Sequence, residues 1–285
     1  EADECLALHE LRASRGPAPA YDESWQDILL QRLRNAARSG RTPHRGPVAE
    51  LRRHDAEYNT QYVATLRAWL TAMGDLADAG APEAYRRLLG YLDAVTPRHF
   101  WLPGNHDDRS AMAAVAGEAR MPRELRLGAW QVLMLDSQVP GKVGGRLGDE
   151  ELARLEAGLS AAAAAGLYTL VCLHHQPVPV GCAWLDEQRV ADAERLFAVL
   201  GRFPGARGLL WGHVHQALER DRDGLKLFCT PSTCVQFKPG QAEFAVDDAA
   251  PGFRWLALHP DGRIDSAVTR VPVDLPVDLE SRGYQ

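Results

Sequence analysis

Gly208-Leu209-Leu210-Trp211-Gly212-His213-Val214-His215 runs from an apolar stretch straight into a glycine and two histidines, and the same transition recurs along the chain. A short apolar run bounded by turn residues reads as a buried strand, so Gly208–Trp211 is expected to be β, with both histidines just past its end. Working outward, Tyr168–Leu173 leads into His174-His175, and Ala68–Met73 into Gly74-Asp75-Leu76-Ala77-Asp78. His99–Leu102 leads into Pro103-Gly104-Asn105-His106-Asp107. Trp130–Leu135, Leu225–Cys229, Phe253–Leu258 and Ile264–Val268 complete the expected strands. Amphipathic helices are expected at Pro82–Val95, where proline suits a first helical position, at Asp149–Ala164 with its acidic first turn, and at Glu187–Leu200. Strands joined by helices around a largely buried sheet give the α/β class.

Composition narrows the function. The chain has 285 residues, 46% hydrophobic and 25% charged, with a formal net charge of −6, so nothing in its overall charge favours nucleic acid or a membrane surface as partner. The longest apolar stretch, Leu159–Val171, is alanine-rich, interrupted by Gly166 and Thr169, and too short to span a bilayer. Five cysteines are an odd count and several lie inside apolar runs, which reads as reduced thiols rather than a disulfide framework. With no basic, apolar leader at Glu1-Ala2-Asp3, the expected compartment is the cytoplasm. Residues 1–271 read as a single domain carrying an Arg-rich insertion at 31–54, taken as a solvated loop rather than a polyanion-binding patch, and 272–285 as a C-terminal tail.

The four motifs lie at strand ends, and in an α/β sheet the carboxyl ends of the strands line one crevice. A phosphodiester is anionic and resists attack; two cations about 3.5–4 Å apart neutralise it and acidify a water. Asp75 can bridge two such ions with its two oxygens. Neutral imidazoles from His174, His213 and His215, with the Asn105 amide oxygen, complete a mixed nitrogen and oxygen set without added negative charge. On an extended backbone His213 and His215 would face the same side, with Val214 opposite. His106, next to Asn105, could protonate a leaving alkoxide, with Asp107 orienting its ring. Each motif alone also reads blandly: Asp75 as a cap or turn residue, Asn105-His106 as turn chemistry, His174-His175 as a polar strand end. Their conjunction favours the site.

These residues resemble the calcineurin-like metallophosphoesterases, whose pattern runs D-x-H, GDxxD, GNHD/E, H, GHxH. Leu135-Asp136-Ser137-Gln138-Val139-Pro140-Gly141, His174 to Gly181, Ala183-Trp184-Leu185-Asp186 and Thr230 to Gly240 are further similar to the bacterial class III 3′,5′-cyclic AMP phosphodiesterases. The resemblance implies a four-layer αββα sandwich of two mixed β-sheets flanked by helices. It also implies hydrolysis of cyclic AMP to 5′-AMP by a metal-bridging hydroxide, with two divalent or trivalent ions (Fe, Mn or Zn). Asp75 then matches the bridging aspartate, Asn105, His174 and His213 the second-metal ligands, and His215 a first-metal ligand. His106 matches the catalytic histidine, and Asn105, His106 and His215 would contact substrate. Asp3 fits the aspartate of D-x-H, and Cys5 stands where that motif has histidine. The expected partner is a small cyclic nucleotide, with a homodimer allowed, and no membrane or nucleic acid. The metal motifs encode phosphate chemistry and not the base, which leaves a broader phosphodiesterase or phosphatase open, and the incomplete D-x-H leaves open a binding module lacking its first metal.

Overall fold

The computed structural model describes residues 70–77, 80–96, 98–271 and 277–283. Asp3, Cys5, Asp78, the 31–54 insertion and the first part of the proposed tail lie outside the described residues.

In chain order the elements are β1 (Leu70–Ala72), α1 (Pro82–Val95), β2 (His99–Trp101), α2 (Arg109–Ala116), β3 (Glu124–Leu127), β4 (Trp130–Met134), α3 (Gly148–Ala164) and β5 (Tyr168–Leu173). They continue with α4 (Ala183–Asp186), α5 (Ala193–Leu200), β6 (Ala206–Trp211), β7 (Leu218–Arg222) and β8 (Leu225–Cys229). β9 (Gln236–Phe237), β10 (Val246–Asp247), β11 (Gly252–Leu258) and β12 (Ile264–Arg270) close the series.

The largest sheet has the order β3-β4-β5-β6-β8-β7 and is mixed. β4, β5, β6 and β8 run parallel, and β3 and β7 pair antiparallel at the two edges. Successive side chains of a strand point to opposite faces, and β5 shows both faces covered. Val171 and Leu173 join Leu152, Leu155 and Leu159 of α3 and Leu196 and Leu200 of α5. Leu170 and Cys172 instead join Val132 and Met134 of β4, against Met73, Leu102, Leu256, Leu258 and Ile264. On the far side of β1 and β2, Trp101 packs on Tyr85, Leu88 and Leu92 of α1 and Met112 of α2. The layers therefore run helix, sheet, strands, helix. The second strand layer consists, among the described residues, of the parallel pair β1–β2 and the antiparallel pair β11–β12.

Two differences from the sequence reading have physical causes. The helix expected over Glu187–Leu200 forms only as α5, from Ala193 onward, because residues 187–192 turn to make tertiary bonds: Val190 N donates to Gln176 O, and Ala191 N to Gly145 O. Asp192, in the same turn, accepts from Leu147 N and Gly148 N at 2.9 and 2.7 Å, satisfying backbone donors at the start of α3. Helix α2, absent from the reading, begins at a cap whose signal was present: the Asp108 side chain accepts from Ser110 N and Ala111 N. No helix of the described residues is long and apolar enough to cross a membrane.

Candidate metal centre

Asp75, Asn105, His174 and His213 follow β1, β2, β5 and β6, so all four emerge at carboxyl ends of parallel strands. Glycine lets the loops touch. A Cβ on Gly74, which has φ +98°, would overlap the His174 ring, and one on Gly104 would overlap the carboxylate and backbone nitrogen of Asp75.

A buried carboxylate fastens these loops together. Asp107 Oδ1 accepts from Leu76 N at 2.9 Å, Ala77 N at 3.1 Å and Tyr85 Oη at 2.9 Å, and Oδ2 accepts from Gly104 N at 2.8 Å. This corrects the expectation that Asp107 orients His106: its oxygens are committed to the backbone of the two loops and to Tyr85. Burial, and then the charge of Asp75, push its pKa up to about 6 against the pull of these bonds. Gln138 reinforces the second loop by donating to Gly104 O and Asp107 O at 2.8 and 2.6 Å.

Hydrogen-bond partners fix the histidine tautomers. His174 Nδ1 donates to Met73 O at 2.7 Å, which leaves the Nε2 lone pair facing inward. Around Nε2 stand Asp75 Oδ2 at 3.1 Å, Asn105 Oδ1 at 3.2 Å and His213 Nδ1 at 3.2 Å. His213 Nε2 donates to Gln188 Oε1 at 3.0 Å, so its Nδ1 is a lone pair as well. His215 Nδ1 donates to Val235 O at 2.9 Å, and its ring stacks on Phe237 with centroids 4.2 Å apart, leaving its Nε2 available.

Four acceptor atoms thus converge where ordinary hydrogen bonding would need a donor. Either a proton or a cation must sit among them. Burial opposes charge on His174 most strongly, yet the charge and hydrogen bond of Asp75 raise its pKa, so a proton on His174 serves when no cation is present. Burial is also the main influence lowering His213 well below its usual value and His215 to about 4, which keeps both rings neutral and fit to ligate. The Asp75 carboxyl lies well below the carboxylate range: burial works against its ionisation, but His174, His213 and His106 outweigh it. A carboxylate, an amide oxygen and neutral imidazoles fit a borderline divalent metal.

His175 completes, with His174 and His213, a group whose ligand atoms lie within 4.8 Å of one another. Its own partners argue against ligation. Nε2 donates to Val143 O at 2.9 Å and Nδ1 accepts from Ser137 Oγ at 2.8 Å, so no lone pair remains, and burial lowers its pKa to about 3. His175 is a packed neighbour, edge-on to the His174 ring at 4.9 Å between centroids.

The route by which His213 and His215 reach the centre also differs from expectation. Neither is extended: both adopt left-handed backbone, φ +60° and +51°, while Val214 between them is fully buried. Asp75, at φ +53°, shares that conformation. His106, half-buried, is tied to the centre through its backbone N, which donates to Asp75 Oδ1 at 3.1 Å. Ser137 and Gln138 lie in a stretch quoted above for its resemblance alone and Gln188 and Tyr85 carry no sequence signal, since only the tertiary fold selects these four as partners.

The sequence model of the calcineurin-like phosphoesterases matches residues 66–217, a span that includes every described candidate ligand. This chain belongs to that family. Its members use a dinuclear metal centre. Among relatives, the 3′,5′-cyclic adenosine monophosphate phosphodiesterase CpdA of Pseudomonas aeruginosa is 39% identical over 217 residues, covering 75% of this chain and 79% of the relative. CpdA of Vibrio vulnificus is 41% identical over 221 residues, covering 76% and 80%. A 3′,5′-cyclic-nucleotide phosphodiesterase of Nostoc is 36% identical over 211 residues, covering 73% and 79%.

Proposed function

We propose that this chain hydrolyses 3′,5′-cyclic AMP to 5′-AMP in the cytoplasm, alone or as a homodimer. The observation that carries this reading is the convergence of Asp75, Asn105 and His213 on His174 Nε2 at 3.1–3.2 Å in a calcineurin-like phosphoesterase. The similarity to cyclic AMP phosphodiesterases, which covers about three-quarters of the chain, supports the choice of substrate.

Asp75, Asn105, His174 and His213 would hold one ion, and Asp75 with His215 and Asp3 the other, as Fe, Mn or Zn. Bound there, the ions supply charge neutralisation for the phosphodiester and a more acidic water. The chain's own groups do the rest. The Asn105 amide, His106 and His215 contact the phosphate oxygens. As water adds to phosphorus and the bond to the 3′ oxygen breaks, His106 donates a proton to that oxygen and the proton lost by the water replaces it, giving the 3′ hydroxyl of 5′-AMP. The hydrogen bond from the His106 main chain to Asp75 ties this acid to the ligand set. Asp107, by locking both loops, keeps the two in register.

The test is elemental analysis of the purified chain with a cyclic AMP assay on the same sample. Two ions per chain and release of 5′-AMP are expected, and Asp75→Ala is expected to drop turnover to background while the chain stays folded by circular dichroism. Cyclic AMP left intact while another phosphate ester turns over would overturn the substrate, and an active Asp75→Ala variant would overturn the site.

A further inference from the structure

His215 belongs to two neighbourhoods. The charges of Asp75, His174 and His106 act on its ring, and that ring also forms part of the wall of a separate cavity of about 250 Å³. The cavity is lined by the apolar Val180, Leu218, Pro239 and Phe237 and by the polar Gln236, Asp247 and Arg270. Apolar walls with a few polar groups are the make-up of a small-molecule site, and the volume falls just below the roughly 300–1,000 Å³ of sites for drug-sized ligands. It suits a heterocyclic base rather than a whole nucleotide.

The polar groups differ in what they have left to offer. Gln236 is spent: its Oε1 accepts from Arg270 Nη1 at 2.8 Å, and its Nε2 donates to Ser232 O and Cys234 O at 2.9 and 3.2 Å. Arg270 makes its bonds, to Gln236 and to Ala250 O at 2.9 Å, through Nη1 alone, which leaves the donors on Nε and Nη2. Asp247, on the short strand β10 and close enough to act on the Arg270 charge, contributes a carboxylate that only accepts. One donor and one acceptor in the lining match the mixed donor and acceptor edge of a purine. The Phe237 ring, held edge-on by Trp184 and Phe244 with centroids 5.0 and 5.4 Å away, supplies a rigid aromatic wall.

Resting on the cyclic-nucleotide reading above, we propose that this cavity seats the nucleobase, with Asp247 and Arg270 reading its edge while the phosphodiester lies on the other side of His215. The two groups that read the base, Asp247 and Arg270, thus lie outside the stretch that supplies the ligands, so recognition of the base and hydrolysis of the ester are separable.

Ala217 makes that separation testable, because it lines the cavity and is exposed, so a larger side chain there meets solvent rather than core. Ala217→Trp and Asp247→Asn would each be assayed with cyclic AMP, cyclic GMP and bis-p-nitrophenyl phosphate, which has no nucleobase. The expected result for Ala217→Trp is a rise of about tenfold or more in KM for both cyclic nucleotides, with bis-p-nitrophenyl phosphate turned over as by the wild type. Asp247→Asn should change the ratio of kcat/KM between cyclic AMP and cyclic GMP by about tenfold, again sparing the synthetic ester. Equal effects on all three substrates, or no effect of either variant, would overturn the subsite. Wild-type protein that cleaves only bis-p-nitrophenyl phosphate would instead overturn the cyclic-nucleotide reading, and the subsite with it.

Discussion

The Asp75–Asn105 corner and the His213–His215 turn meet at His174, yet they are held by different means. In the first, two backbones are pressed together at Gly74 and Gly104 and fastened by one carboxylate, Asp107, which accepts from three main-chain nitrogens and a tyrosine hydroxyl. In the second, each ring is oriented by a single hydrogen bond of its own, His213 by Gln188 and His215 by Val235 O. A close backbone contact has no intermediate settings, because the packed interior yields only by shifting whole segments. A ring held by one bond can rotate a little and still ligate. The first corner should therefore fail outright and the second by degrees.

Gly104→Ala tests the first corner and should have the largest effect. The new methyl group would collide with the Asp75 backbone and carboxylate. Displacing the loop by about 1 Å predicts a loss of about 10²-fold in kcat/KM, with a lower Tm and no recovery at high metal. A normally melting, active Gly104→Ala would break the comparison. Gln188→Ala tests the second. His213 loses the bond that sets its tautomer, and metal affinity should fall about 10- to 100-fold, with activity restored by excess metal in a titration. A deficit that no metal concentration repairs would erase the difference between the corners.

Glu151→Gln sharpens the comparison by removing a carboxylate fastener away from the centre, and it should leave kcat/KM unchanged. Glu151 accepts from Asp136 N at 2.9 Å, from Arg154 at 2.6 and 3.1 Å, and from Arg123. Burial is the strongest influence on its carboxyl and opposes ionisation, but Arg154, the Asp136 backbone and Arg123 together lower the pKa below 4.5. A depressed folded-state pKa contributes stability above the unfolded value, and that stability is lost as pH falls through the folded one. The variant should cost about 2 kcal/mol near neutral pH, with the gap from wild type closing in urea unfolding as pH falls below the ordinary carboxylate range. A gap of constant size across that range would mean that the charge of Glu151 contributes nothing.

The sequence reading succeeded where one signal was strong and local. Apolar runs ending in Gly-Asp, Gly-Asn-His, His-His and Gly-His located β1, β2, β5 and β6 with the candidate ligands beyond them, because strands packed between layers are largely apolar and a polar site at their ends is not. β7 was missed since Leu218-Glu219-Arg220-Asp221-Arg222 is an edge strand with three exposed residues at its centre, and its composition is that of a loop. The non-helical start of the Glu187–Leu200 stretch was hidden because its cause lies in bonds from Val190 and Ala191 to distant residues. The same limit applied at the centre. Residue type and motif made His174 a candidate, but the difference between His174, which keeps an inward lone pair, and a saturated His175 depends on Met73 O, Ser137 and Val143 O. Asp107 was assigned to its sequence neighbour His106, although its partners lie about thirty positions earlier, at Leu76 and Ala77.

Among the described residues, non-glycine positions with left-handed backbone are Asp75, His213, His215 and the hairpin residue Asp223. Such conformations cost of order 1 kcal/mol or more where a side chain is present, and glycine adopts them freely. Three of these four are candidate ligands, so the chain's functional atoms sit at the places where its backbone is least at ease. Heat resistance and chemistry are thereby set against each other: a lineage screened for thermal endurance alone would drift towards glycine at those three positions and arrive at a sturdier, inert protein.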